Sequence, residues 1–143
     1  VAEKPAPKPA AKPAPQPMRS DAVTLLATLQ REARFIDIVK EPLGDYSDEQ
    51  VGAAARDVLR DCGSVLDRLF KIEPVVNQED GSQVEIPSDA SAAKLRLTGN
   101  ATEDAKSGTL VHHGWQAQQC EIPKWTGSKE QALVVAQAEV EVQ

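Results

Sequence analysis

The chain has 143 residues and a formal net charge of −6, enough length for one domain of ordinary size with an appendage. The charge is divided: residues 1–19 hold four basic groups and one acidic, for +3, while residues 20–143 hold 12 basic and 21 acidic, for −9. An acidic body with 3% aromatics argues against a nucleic-acid surface, which needs a basic patch to neutralise phosphates. No apolar run approaches the eighteen residues that would span a membrane, and two cysteines are too few for a disulfide scaffold.

The chain opens on Val rather than Met, as expected of a trimmed or processed start. Six prolines from Pro5 to Pro17, with Lys4 before them and Lys8 and Lys12 among them, make residues 1–19 a low-complexity linker. Proline fixes φ and removes the amide donor, so an extended, disordered tether is expected, of reach roughly 3.1 Å per residue. Residues 20–143 are expected to form a single domain.

Order should begin at Ser20, whose hydroxyl caps a helix opening at Asp21. Ala22, Leu26, Leu29, Ala33 and Ile36 share one helical face, which Leu25 widens, and the helix should stop before Pro42. Ser47-Asp48-Glu49-Gln50 is a capping box. Beyond it Val51, Ala55, Val58, Cys62, Val65 and Leu69 form a second seam, opposite Arg56, Arg60 and their acidic neighbours, and Gly63 does not interrupt the period. Two such helices, spanning 20–70, should bury their stripes against each other as an antiparallel hairpin.

Over residues 71–143 the period changes to two. Lys71 to Val76 and Gln83 to Ile86 flank an Asp80-Gly81 turn, with Pro74 confining the first to an edge or a strand start. Ala93 to Thr98 alternates, Gly108 to His113 enters a further strand, Gly114 bends the chain before Trp115, and Ala138-Glu139-Val140-Glu141-Val142 reads as a closing strand. The expected architecture is α+β: the helical hairpin packed on an antiparallel sheet, curled or barrel-like.

Cys62, His112, His113 and Cys120 would make four metal ligands, but their spacing lacks the close pairs of a zinc site, and adjacent histidines on a strand point to opposite faces. No nucleophile elbow, phosphate loop or paired-carboxylate signature accompanies Cys120 or the histidines. No cofactor or metal is therefore expected. Asn100-Ala101-Thr102 fits a glycosylation sequon, a pattern that chance also produces. Trp115 and Trp125 are expected to pack on the sheet.

Several runs together resemble the bacterial family known as domain of unknown function 2760, over residues 20–143. They are Ser20-Asp21-Ala22 with Leu25-Leu26, Leu29 to Arg34, Tyr46 to Ala54, Leu97-Thr98-Gly99-Asn100, Gly108 to Trp115, and Ala138 to Val142. The resemblance implies no activity. It implies a further segment ahead of the linker and gene neighbourhoods containing 70-kDa heat-shock-type chaperones. The stretch from Ala101 to Ser107 is polar and acidic here where relatives carry an apolar, proline-containing one, so a binding mode through that loop does not carry over.

The functional expectation is a non-enzymatic interaction module working beside a chaperone-type ATPase. Its contacts would be Arg56 and Arg60 on the second helix and His113 and Trp115 at the strand bend. The alternative is a small-ligand-binding barrel or weak hydrolase centred on His112, His113, Trp115 and Cys120. Two free cysteines fit a reducing cytoplasm, and a missing N-terminal segment would allow a membrane tether.

Overall fold

The computed structural model describes Pro5 and residues 18–89, 92–100 and 104–143. Residues 1–4 and 6–17 of the linker and two residues of the sequon, Ala101 and Thr102, lie outside the described residues. The architecture is α+β: the described residues form three α-helices and two small antiparallel sheets that do not close into a barrel.

Helix α1 (Asp21–Ala33) starts as its sequence dictates: the Ser20 hydroxyl accepts the Ala22 N–H at 3.2 Å, and Asp21 sits in the first turn. It ends well before Pro42. Arg34 takes the left-handed conformation (φ 57°), and α2 (Phe35–Lys40) restarts beyond it. The device that permits this is Gln30. Its side-chain oxygen accepts the amides of Ile36 at 2.9 Å and Asp37 at 3.2 Å, satisfying two first-turn donors that α2 would otherwise leave orphaned.

The buried side of α1 also differs from the apolar stripe. Thr24, Ala27, Thr28, Gln30 and Ala33 are buried, whereas Ala22 is exposed and Leu26 is 36% exposed. Arg19 and the segment around Trp125 and Val134 cover the threonine side. The Thr28 hydroxyl donates to the Thr24 carbonyl at 2.8 Å, so its burial leaves no orphan group.

Helix α3 (Asp48–Phe70) carries the full capping box: the Ser47 hydroxyl accepts the Gln50 N–H at 3.2 Å, and the Gln50 side chain accepts the Ser47 N–H at 3.0 Å. Cys62, Val65 and Leu69 of its seam are buried, and Val51, Ala55 and Val58 are half-buried. Both α1 and α2 pack on α3. The connection is not a short loop: α2 and a 3-10 turn (Leu43–Asp45) lie between.

Arg68 forks onto Glu32, with bonds of 2.9 and 2.6 Å, and so ties the last turns of α1 and α3. That bond, together with the Arg68 charge, holds the Glu32 carboxyl below its ordinary value of 4.5. A depressed native value adds stability above the unfolded pKa and loses it as pH falls through the native one. Glu32→Gln is therefore expected to lower the urea midpoint at neutral pH, with the gap to the parent closing below about pH 4.5. Urea curves in neutral and acidic buffers check this. A gap that persists in acid would assign the effect to packing instead.

The β region is a nested ribbon. Strand β1 (Ile72–Pro74) pairs with β4 (Trp115–Ala117), and β2 (Gln83–Glu85) pairs with β3 (Ser107–Thr109), both antiparallel. The Asp80-Gly81 turn is present, with Gly81 at φ 91°, but its flanks do not pair with each other. Instead Val75 and Val76 donate to the carbonyls of Gly114 and His113, and Gly81 donates to Leu110, so the two lanes run past one another. Residues 75–82 lie opposite 110–114, and the surplus on the first lane loops out. Neither 93–98 nor 138–142 forms a strand: each sheet stays two-stranded, and neither stretch runs along the open outer edge of one.

The core is small: Ala27 and Ala33 from α1, Cys62, Val65 and Leu69 from α3, with Leu110 and Ala132 from the remainder. Desolvation pushes the Cys62 thiol up, as befits a seam residue.

Candidate interaction site

The end of α3 sets the geometry of the site. An α-helix leaves its last four carbonyls without intrahelical partners. Here the segment after β4 supplies partners for three of them: Gln118 and Gln119 donate backbone amides to Phe70 at 2.8 and 3.1 Å, Glu121 donates to Leu69 at 2.9 Å, and the Gln119 side chain donates to Arg68 at 3.1 Å. These bonds lash β4 to the end of α3.

Trp115, at the start of β4, thereby comes to line the same open groove as Arg60, Leu66 and Ile72, a depression of about 560 Å³. Gly63 and Ser64 form the helix side of that groove, and space is open where a Gly63 Cβ would stand. Gly63 costs the helix roughly 1 kcal/mol against alanine. In return the surface is kept shallow beside an indole that is 60% exposed. Arg60 is held by Asp57 at 3.2 Å and Asp61 at 3.3 Å, which fixes its guanidinium on the helix surface. Arg56 is exposed and has no ion pair among the described residues.

Beside Trp115 the two histidines form a cluster rather than pointing apart. They do not lie in a strand, and Gly114 (φ 71°) turns the chain so that their rings stack at 4.6 Å. The expectation of opposite faces fails because it required strand geometry. His113 meets Trp115 edge-on at 4.4 Å, with His112 at 6.5 Å. Backbone bonds fix opposite tautomers. An amide only donates, so the Gly114 N–H finds His112 Nδ1 unprotonated at 2.9 Å; a carbonyl only accepts, so His113 Nδ1 carries the proton it donates to Gly114 at 2.6 Å. Asp80 accepts the His113 amide at 2.9 Å and anchors the outlooped lane to the cluster.

Cys120 is exposed and lines neither this groove nor the larger cleft of about 830 Å³ along β2 and β3. That cleft takes in His112 but not His113 or Trp115. Among the described residues no three His, Cys, Asp or Glu side chains converge as a metal site would require. Cys62 lies in the helix seam instead.

Two residues gain roles that no sequence pattern marked. Arg19, counted with the linker's charge, is 9% exposed; its Nε donates to the Thr24 hydroxyl at 3.0 Å and its guanidinium lies 4.7 Å over the Trp125 ring. Trp125 is thus a half-buried packing residue, while Trp115 is the open one. Gln30 caps a second helix from within the first. A buried arginine next to a proline tract has no periodic signature, and a glutamine that caps across a break is visible only once the break is known.

The profile of the family described as Domain of unknown function (DUF2760) matches residues 18–141. The chain belongs to this family. No curated protein and no solved structure matches it. The DUF2760 match spans the helices, the ribbon and the clamp at Arg19 together, and its description carries no activity, so function is argued from the groove.

Proposed function

We propose that the chain is a non-enzymatic interaction module that docks a protein partner in the groove between α3 and β4. The observation that carries this reading is the convergence of Arg60 and the exposed Trp115 on one surface. Arg and Trp are the side chains most enriched where binding energy concentrates, since each offers a large, stiff contact area with a polar handle. The partner class follows from the family resemblance: a 70-kDa heat-shock-type chaperone ATPase, met in a reducing cytoplasm to which both free thiols are suited. Among the described residues no helix is long and apolar enough to cross a membrane.

The test is affinity capture of the full-length protein from its own cells, with ATP and with ADP, beside Arg60→Ala and Trp115→Ala. Retention of a chaperone-type ATPase in one nucleotide state, reduced at least about tenfold by either substitution, is the expected result. No retention in either state would sink this reading. Weight would then pass to the small-ligand reading, which the stacked His112–His113 pair beside Trp115 favours.

A further inference from the structure

Two stretches of period-two sequence stand without strand partners, and they are complementary. Lys94-Leu95-Arg96-Leu97 alternates cation with leucine; Glu139-Val140-Glu141-Val142 alternates anion with valine. Neither forms a strand, and none of the four charged side chains has an ion pair among the described residues. Val140 and Val142 are 83% and 90% exposed, far more than β-branched apolar residues at strand spacing ordinarily are.

We propose that these two stretches pair between two copies of the chain, each copy giving its 139–142 segment to the 94–97 segment of the other. In an antiparallel register Lys94 stands opposite Glu141, Leu95 opposite Val140 and Arg96 opposite Glu139. At these three pairs each charge meets its opposite and Leu95 meets an apolar side chain, because residues directly across a ladder share a face. The cleft of about 830 Å³ that Lys94 to Thr98 line, with Val84, Ile86, Leu110 and Val111 on its walls, is the space Val140 and Val142 enter. Within one chain the stretch from Val134 to Glu139 lines a different cavity, beside Ala27 and Arg31 of α1, and among the described residues neither half of the match has a strand partner. Reciprocal exchange gives the self-complementary interface of a two-fold dimer.

Light scattering on the eluting protein, over a concentration series, reads the result against a chain mass of 15.4 kDa. The parent is expected at about twice that mass. The double variants K94E/R96E and E139K/E141K should each run as monomers, because like charges meet at both junctions. All four side chains are exposed, so far-ultraviolet circular dichroism should show an intact fold. Mixed in equal amounts, the two variants should restore the dimer, since opposite charges then face each other at both junctions. A monomeric parent at every concentration, a dimer indifferent to the reversals, or variants that stay monomeric when mixed would each overturn the proposal. The first result is the one that pairing within a single chain would give.

Discussion

Leu69→Ala is expected to cost about 2–5 kcal/mol of folding stability, the range for deleting a buried leucine side chain. Leu69 is 4% exposed and lies one turn beyond Val65, which at 1% is the best-buried apolar residue of the core. Its backbone carbonyl also receives Glu121, so the helix end, the segment after β4 and the seam all meet at this residue. A core with so few large side chains has little redundancy to absorb the cavity, and the loss is a sizeable share of the roughly 5–15 kcal/mol that holds a domain folded. Leu59→Ala is the control: the same change on the same helix, at a side chain 67% exposed, should stay within about 0.5 kcal/mol. Urea unfolding of both variants decides the matter. Equal losses would mean that the α3 seam is not where the core lies.

The second large effect is expected at Gly114. Alanine there must hold φ near 71°, costing roughly 1–2 kcal/mol, and its Cβ would stand 3.1 Å from Val75 Cγ2 and 3.2 Å from Val75 Cβ. Val75 cannot simply swing away, because its amide donates to the Gly114 carbonyl across the ribbon. Gly114→Ala should therefore destabilise by about 2–3 kcal/mol in all and spread the two lanes where the histidines stack. The near-ultraviolet circular dichroism of Trp115 reports the second effect. Adding Val75→Ala should remove the Cγ2 contact but neither the Cβ approach nor the backbone strain, so the cycle returns a partial favourable coupling. Strict additivity of the two changes would show that the contact carries no energy.

The α3 seam was legible because nothing competes with it: a capping box, a four-three period and polar residues opposite all give one answer. The same reasoning placed the Ser20 cap, β1, β2 and the bend at Gly114. It misjudged α1, where the buried side is made of Thr24, Ala27 and Thr28 rather than leucines, because small hydroxyl residues bonded to their own helix pack as well as apolar ones. It misjudged the sheet for a different reason. Alternation marks a segment able to form a strand, and pairing is settled by which edges come within reach. Lys94 to Leu97 and Glu139 to Val142 have the pattern, but they join neither two-stranded sheet. At the site, Arg60 and Trp115 were both named from the sequence, but their shared groove depends on Gln118, Gln119 and Glu121 closing the end of α3. Sequence spacing does not encode such a contact.

The break at Arg34 looks like a place where the helical arm would flex, and Gln30 makes it the reverse. One side chain belongs to the last turns of α1 and, through two amides, to the first turn of α2. The first turn of α2 keeps these two bonds only while the last turns of α1 hold Gln30 in place, so the bend behaves as a bracket and not a joint. The direction in which α2 leaves α1 is thereby built into the chain.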